Sequence, residues 1–185
     1  MKKGIAVAMG VMTAAVLVRG EEVKHRFLVS DFMHHAVHYV DQTDAAKNWT
    51  ISLPEIAMDL QLIGNNRLLC NRSKGYDVYD LTTHQKVDSF QSDAVKEIRS
   101  VRRLADGRTF LGSQLGTVYE FDAQRQLTAT YEMPKAITYV RMMRFTPKGT
   151  LLLAANDGAY EVSLTKGVDA EQRLVTSERN LARAQ

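Results

Sequence analysis

The chain has one cysteine, Cys70, in 185 residues. It therefore cannot close an intramolecular disulfide, and its stability has to come from a hydrophobic core. Cys70 lies in an apolar run and reads as a small buried residue. There are three prolines and one tryptophan. No Cys-x-x-Cys, His-Glu-x-x-His, Gly-x-Ser-x-Gly or glycine-rich phosphate loop occurs. The usual sequence signatures of zinc, serine-hydrolase and nucleotide chemistry are thus missing. Carboxylates are scattered, with no spacing that pairs two of them for acid–base work. Neither a metal nor a cofactor is expected.

Long apolar stretches are also scarce. The one that exists spans residues 4–18, after a basic Met1-Lys-Lys start and before Glu21-Glu22. Fifteen apolar residues are short for a membrane span, which needs about twenty. The order basic, apolar, acidic is that of a secretory signal peptide over residues 1–20, with an uncleaved anchor as the alternative. Arg19 beside the expected cut departs from the small-residue pattern. Lys2, Lys3 and Arg19 account for the whole net charge of +3, leaving 21 cations against 21 carboxylates. The pI of about 9.0 therefore belongs to the leader. A near-neutral mature chain does not suit phosphate-backbone binding, so no nucleic-acid partner is expected. The expected location is secreted or periplasmic.

What the sequence does have is a repeat. Arg26-Phe-Leu-Val-Ser, Arg67-Leu-Leu-Cys-Asn, Arg108-Thr-Phe-Leu-Gly and Thr150-Leu-Leu-Leu-Ala recur at intervals of 41, 41 and 42 residues. Each is followed by a turn and a second strand: Ala36-Val-His-Tyr-Val-Asp41, Tyr76-Asp-Val-Tyr-Asp80, Val118-Tyr-Glu-Phe-Asp122 and Ala159-Tyr-Glu-Val-Ser163. Gly75, Gly116 and Gly158 mark that turn in the last three copies, where a positive φ is expected. Third strands follow at Trp49-Thr-Ile-Ser-Leu53, Lys86-Val-Asp-Ser-Phe90 and Leu127-Thr-Ala-Thr-Tyr131, with a faint fourth at Arg173-Leu-Val-Thr176. A strand also precedes the later hairpins, at Met58-Asp-Leu-Gln-Leu-Ile63, Arg99-Ser-Val-Arg-Arg-Leu104 and Val140-Arg-Met-Met-Arg-Phe145.

The 99–122 stretch carries the unit most clearly: three strands joined at Ala105-Asp106-Gly107 and Gln114-Leu115-Gly116. Four antiparallel strands in about 41 residues make one β-propeller blade. A β-sandwich would explain the strands but not the fixed period. The expected fold is therefore all-β, a propeller of three to four blades over residues 21–175, with a polar tail at 176–185. The first blade shows no inner strand, and the tail does not resemble one. The ring is expected to be incomplete, as a piece of a longer propeller. Closure by a second copy or another chain, and a compact four-bladed ring, are the alternatives. Open blade faces would favour self-association.

The phrases Leu28-Val-Ser-Asp31 through Val40-Asp41, and Val101-Arg-Arg-Leu-Ala-Asp-Gly-Arg-Thr-Phe-Leu111, resemble the repeats of bacterial quinoprotein-like and arylsulfotransferase-like β-propellers. WD40 repeats are less similar, since no Trp-Asp or Gly-His pair occurs. The resemblance covers residues 24–165 and implies the propeller fold. Quinone-binding members carry a repeated tryptophan motif, and Trp49 stands alone here. No histidine falls on an arylsulfotransferase motif, so no catalytic residue is carried over.

Inner strands line a propeller's channel, and here they carry Arg99, Arg102, Arg103, Arg141 and Arg144. Aligning Leu104 with Phe145 puts Arg103 opposite Arg144, with Leu62 one blade earlier. Converging guanidinium groups can hold a carboxylate, sulfate or phosphate. The alternative is that they pair with Asp106 or Glu97, or face water. His34, His35 and His38 form the one histidine cluster and read as a polar turn rather than a metal site. The functional expectation is a secreted module that binds a small ligand or protein partner without catalysis. The alternative is a fragment or diverged member of the arylsulfotransferase-like enzymes, acting on an anionic group.

Overall fold

The computed structural model describes residues 23–133, 137, 139–156 and 158–164. The expected leader, the faint strand at Arg173-Leu-Val-Thr176 and the polar tail lie outside the described residues.

Fourteen strands form four antiparallel sheets in chain order. The first holds β1 (Arg26–Asp31), β2 (Ala36–Asp41) and β3 (Trp49–Ser52). The second holds β4 (Leu60–Ile63), β5 (Arg67–Arg72), β6 (Gly75–Asp80) and β7 (Lys86–Gln91). The third holds β8 (Ile98–Arg103), β9 (Thr109–Ser113), β10 (Thr117–Phe121) and β11 (Leu127–Glu132). The fourth holds β12 (Met142–Phe145), β13 (Leu151–Ala154) and β14 (Ala159–Val162). Within each sheet, consecutive strands are neighbours. This is the up-and-down blade of a β-propeller, in a partial ring.

The turns follow from the repeated residues. Gly107 and Gly116 take φ of +89° and +90°, where a side chain would be strained. At Gly75 an added Cβ would collide with the Phe90 carbonyl on the neighbouring strand. Gly158 departs from the expectation: its φ lies outside the left-handed range, and among the described residues nothing stands within 4 Å of a Cβ there. The aspartates that end β2 and β6, and the one that directly follows β10, cap the next turn. Asp41 accepts from the Thr43 amide at 2.8 Å, Asp80 from Thr82 at 2.8 Å and Asp122 from Gln126 at 2.8 Å. These side chains replace backbone partners that a tight turn cannot supply.

One hydrophobic core fills each seam between successive sheets. Val37, Ile51, Leu68 and Cys70 close the first seam. Leu69, Tyr76, Val101 and Leu111 close the second. Phe110, Val118, Met143 and Leu153 close the third. Alternation along a strand divides its residues between two seams. Thus Leu68 faces the first sheet while Leu69 faces the third. Fully burying such a side chain is worth about 1.5–3 kcal/mol. Cys70 is buried as expected, and burial pushes its thiol pKa up.

Candidate functional site

The inner strands β4, β8 and β12 lie side by side, and their polar residues meet around Asp59. The Asp59 side chain is 1% exposed. It accepts from Arg102 Nη2 at 2.7 Å and from the Val101 amide at 3.2 Å. It also accepts from the Ser100 hydroxyl, and Arg144 Nη1 stands 3.2 Å away. Burial pushes the Asp59 carboxyl above its ordinary value, against the lowering pull of Ser100 and Arg144. Ser100 Oγ in turn accepts from the Met143 amide at 3.0 Å. Gln61 binds both backbone groups of Arg103, accepting at 2.7 Å and donating at 2.9 Å. Asn71 on β5 accepts from the Met58 and Asp59 amides at 2.8 Å each and donates to the Ile98 carbonyl at 2.9 Å. Side chains therefore lace three inner strands that are not paired as a ladder.

The five sequence-selected arginines separate here. Arg102 and Arg144 converge on Asp59. Arg102 is nearly buried, while the Arg144 side chain is 43% exposed. Arg103 stacks over the Tyr76 ring at 4.9 Å and donates to Thr109 Oγ1 at 3.1 Å. Arg99 donates to Gln114 at 2.7 Å. Arg141 lies over the Tyr139 ring at 4.7 Å, away from the cluster.

The expected alignment of Arg103 with Arg144 is corrected by one residue. Leu104 and Thr146 each close a turn on Gly107 or Gly149 with matching backbone bonds. Counting back from them pairs Arg102 with Arg144 and with Gln61 of the second sheet. Arg103 falls instead at the place of Phe145 and Leu62. A one-residue slip moves a side chain to the other face, so the converging pair is Arg102 and Arg144. Pairing with carboxylates is the alternative to anion binding, and for these two the partner is Asp59 rather than Asp106 or Glu97.

A groove of about 1060 Å³ opens beside this cluster, between the inner strands and β1. Its walls include the apolar Leu28, Leu60, Leu62 and Phe145. Its cations are Arg26, Lys47, Arg102, Arg103 and Arg144, and no carboxylate lines it among the described residues. Four of these cations pair with acids outside the lining: the buried Asp41 and Asp59 and the partly exposed Asp44.

The histidine cluster sits elsewhere, with His34 and His35 in the β1–β2 turn and His38 on β2. His34 Nδ1 lies 2.8 Å from Asp31, and His38 bridges Asp31 at 3.4 Å and Thr50 at 2.9 Å. The His34 contacts hold the Asp31 carboxyl down at about 2. No group of three or more potential ligands that could hold a metal occurs among the described residues. Of the second-strand tyrosines, Tyr76, Tyr79 and Tyr160 pack into the seams, and Tyr39 stacks on Trp49 at 5.4 Å.

The sequence analysis missed Asp59, Ser100, Gln61 and Asn71. A signal was present for the first two: Asp59 and Ser100 stand 41 residues apart, one repeat, each just before an apolar residue of an inner-strand phrase.

No family model and no curated protein matches the chain. Among solved structures it is similar to the crystal structure of the WD40 β-propeller domain of Doa1, with a TM-score of 0.58 at 12% identity. The match covers 76% of this chain and 47% of the other, so the chain spans about half the length of that structure. At such identity the likeness is one of fold, and fold leaves function to the site. The likeness is to a WD40 domain although the chain has no Trp-Asp or Gly-His pair. Those pairs are sequence signatures, whereas the blade is set by strand period and turns. The chain has the fold of a β-propeller, seen here as four successive blades of a partial ring.

Proposed function

We propose that the chain is a secreted or periplasmic propeller module that binds an anionic ligand or protein partner in the groove beside β4, β8 and β12, without catalysis. The observation that carries this reading is the lining: five cations, apolar walls and no facing carboxylate among the described residues. Arg102 and Arg144 share one acid, so the cluster keeps a net positive charge toward the groove. Arg144 is the more exposed of the two and is the group free to take up a second anion. Arg103 adds a planar guanidinium on the same wall. Arg99 and Arg141, also selected from the sequence, are not among the residues that line this groove. The leader-like residues 1–20 support export. The strand phrases support kinship with quinoprotein-like and arylsulfotransferase-like propellers, whose enzymes would use the same arginines on an anionic group.

Calorimetric titration of the full chain with a panel of small aromatic carboxylates and sulfates tests the reading. Saturable binding that falls at least about tenfold in Arg144→Glu supports it, each tenfold being about 1.4 kcal/mol. Failure of every anion to bind, or binding unchanged in both Arg144→Glu and Arg103→Glu, overturns it. N-terminal sequencing of the chain expressed in a bacterium with its own leader tests export. An intact Met1 in a cytoplasmic product refutes it.

A further inference from the structure

The groove has one wall whose main chain the anion reading does not use. That wall is β1, which is paired only with β2 among the described residues. Its other edge faces the groove, where Arg26, Phe27 and Leu28 line it. His25 accepts from the Gln42 amide at 3.0 Å, so these two residues are a hydrogen-bonded pair of the β1–β2 ladder. Antiparallel ladders alternate. Phe27 and Val29 therefore direct their main-chain groups at β2, and Arg26, Leu28 and Ser30 direct theirs at the open edge.

The later blades show what those groups are placed to bind. Arg108, one repeat after Arg67 and two after Arg26, gives its carbonyl to the Leu104 amide at 2.9 Å. Asn71, the counterpart of Ser30, donates its amide to the Asp59 carbonyl at 3.3 Å. In the second and third blades this edge carries an inner strand, with Leu60↔Cys70 and Val101↔Leu111 as the pairs. In the first blade the same edge opens on the groove.

The geometry points to strand addition: an extended acidic peptide of a partner protein binds as the inner strand of the first blade, paired along Arg26, Leu28 and Ser30. Main-chain bonds to an open edge give affinity, and pockets for alternate side chains give selectivity. Apolar side chains of the peptide face Leu28, Leu60 and Leu62. Acidic ones face Arg103 and Arg144. The acidic character is set by charge complementarity, since all the charged side chains on the groove's described lining are cations. This inference rests on the anion reading above and deepens it.

The test uses the full chain and three probes. These are the peptide acetyl-Glu-Val-Glu-Val-Glu-Val-amide, the same peptide with Lys for Glu, and phenylacetate as a small anion. The acidic peptide is expected to bind and to displace phenylacetate, and the lysine peptide is not. N-methylation of alternate amides is the discriminating step, because it removes donors along one edge only. One phase of methylation is expected to lower affinity at least about tenfold and the other to leave it within about twofold. Hydrogen exchange at the Leu28 and Ser30 amides is expected to slow when the peptide binds.

Phenylacetate binding with peptide affinity indifferent to both phases overturns strand addition and leaves the anion reading standing. Failure of peptide and phenylacetate alike sinks both. Leu28 and Ser30 amides already protected in the free chain would mean that another part of the chain, or a second copy, fills the edge. That outcome also overturns the proposal, and dilution separates its two causes.

Discussion

The first seam and the two that follow it are built differently. Between the second, third and fourth sheets, inner-strand side chains reach across to the neighbour's backbone, and a buried carboxylate ties two arginines together. Between the first and second sheets the apolar core is present. Polar links there include the Ser30 hydroxyl, which meets the Ala57 carbonyl, and Glu55, which pairs with Arg72. The two later seams show that propeller blades need more than apolar faces to fix their spacing. Apolar contact is non-directional, whereas a side chain bound to a named amide sets a register. Among the described residues the first blade has no such fixing along the free edge of β1, and that edge forms a wall of the groove.

This difference can be broken at its strongest point. Asp59→Ala leaves Arg102 buried without its partner, and is expected to cost about 3–5 kcal/mol in chemical denaturation. A loss below about 1 kcal/mol would mean that the arginines find water and that the cluster does not hold the seam. Asn71→Ala comes next. It releases two amides and one carbonyl in a buried place, for an expected loss of about 1–3 kcal/mol. Leu69→Ala in the same sheet gives a scale for apolar loss, at about 2–5 kcal/mol.

The smallest effect belongs to the first blade. The Asp31 carboxyl is held at about 2, below the ordinary 3.8, chiefly by the hydrogen bond from His34. A folded value below the unfolded one means a contribution present above pH 4 and lost as the pH falls through about 2. His34→Ala should raise the Asp31 titration midpoint seen by NMR toward its ordinary value, with little change in stability at neutral pH. An unmoved midpoint would assign the shift to other neighbours.

Much of the fold could be read from the chain because its marks repeat locally. Gly107, Gly116 and the turn aspartates Asp41, Asp80 and Asp122 do their work within a few residues of themselves, so the period exposed them. The site was less legible. The inner strands carry no glycine to fix their register, and the alignment of Arg103 with Arg144 slipped by one. The partner of Arg102 and Arg144 is Asp59, which is 43 and 85 residues away. Such a pairing depends on two seams being closed at once, which no local pattern records. Gly158 shows the converse: a repeated glycine at a turn where the backbone does not require one.

The lacing has a direction. Asp59, Gln61 and Asn71 of the second blade hold backbone groups of the third, and Ser100 of the third holds Met143 of the fourth. The reach of Arg102 back to the Leu60 carbonyl runs the other way. A ribosome releases the N-terminal part first, so most of the hooks emerge before the loops of chain they catch. The nascent propeller would then grow by accretion, each blade a finished template for the next. Stalled chains that end after residue 133 should already protect the Val101 and Arg103 amides from exchange. Absence of that protection until the fourth blade is out would mean that the blades assemble together instead.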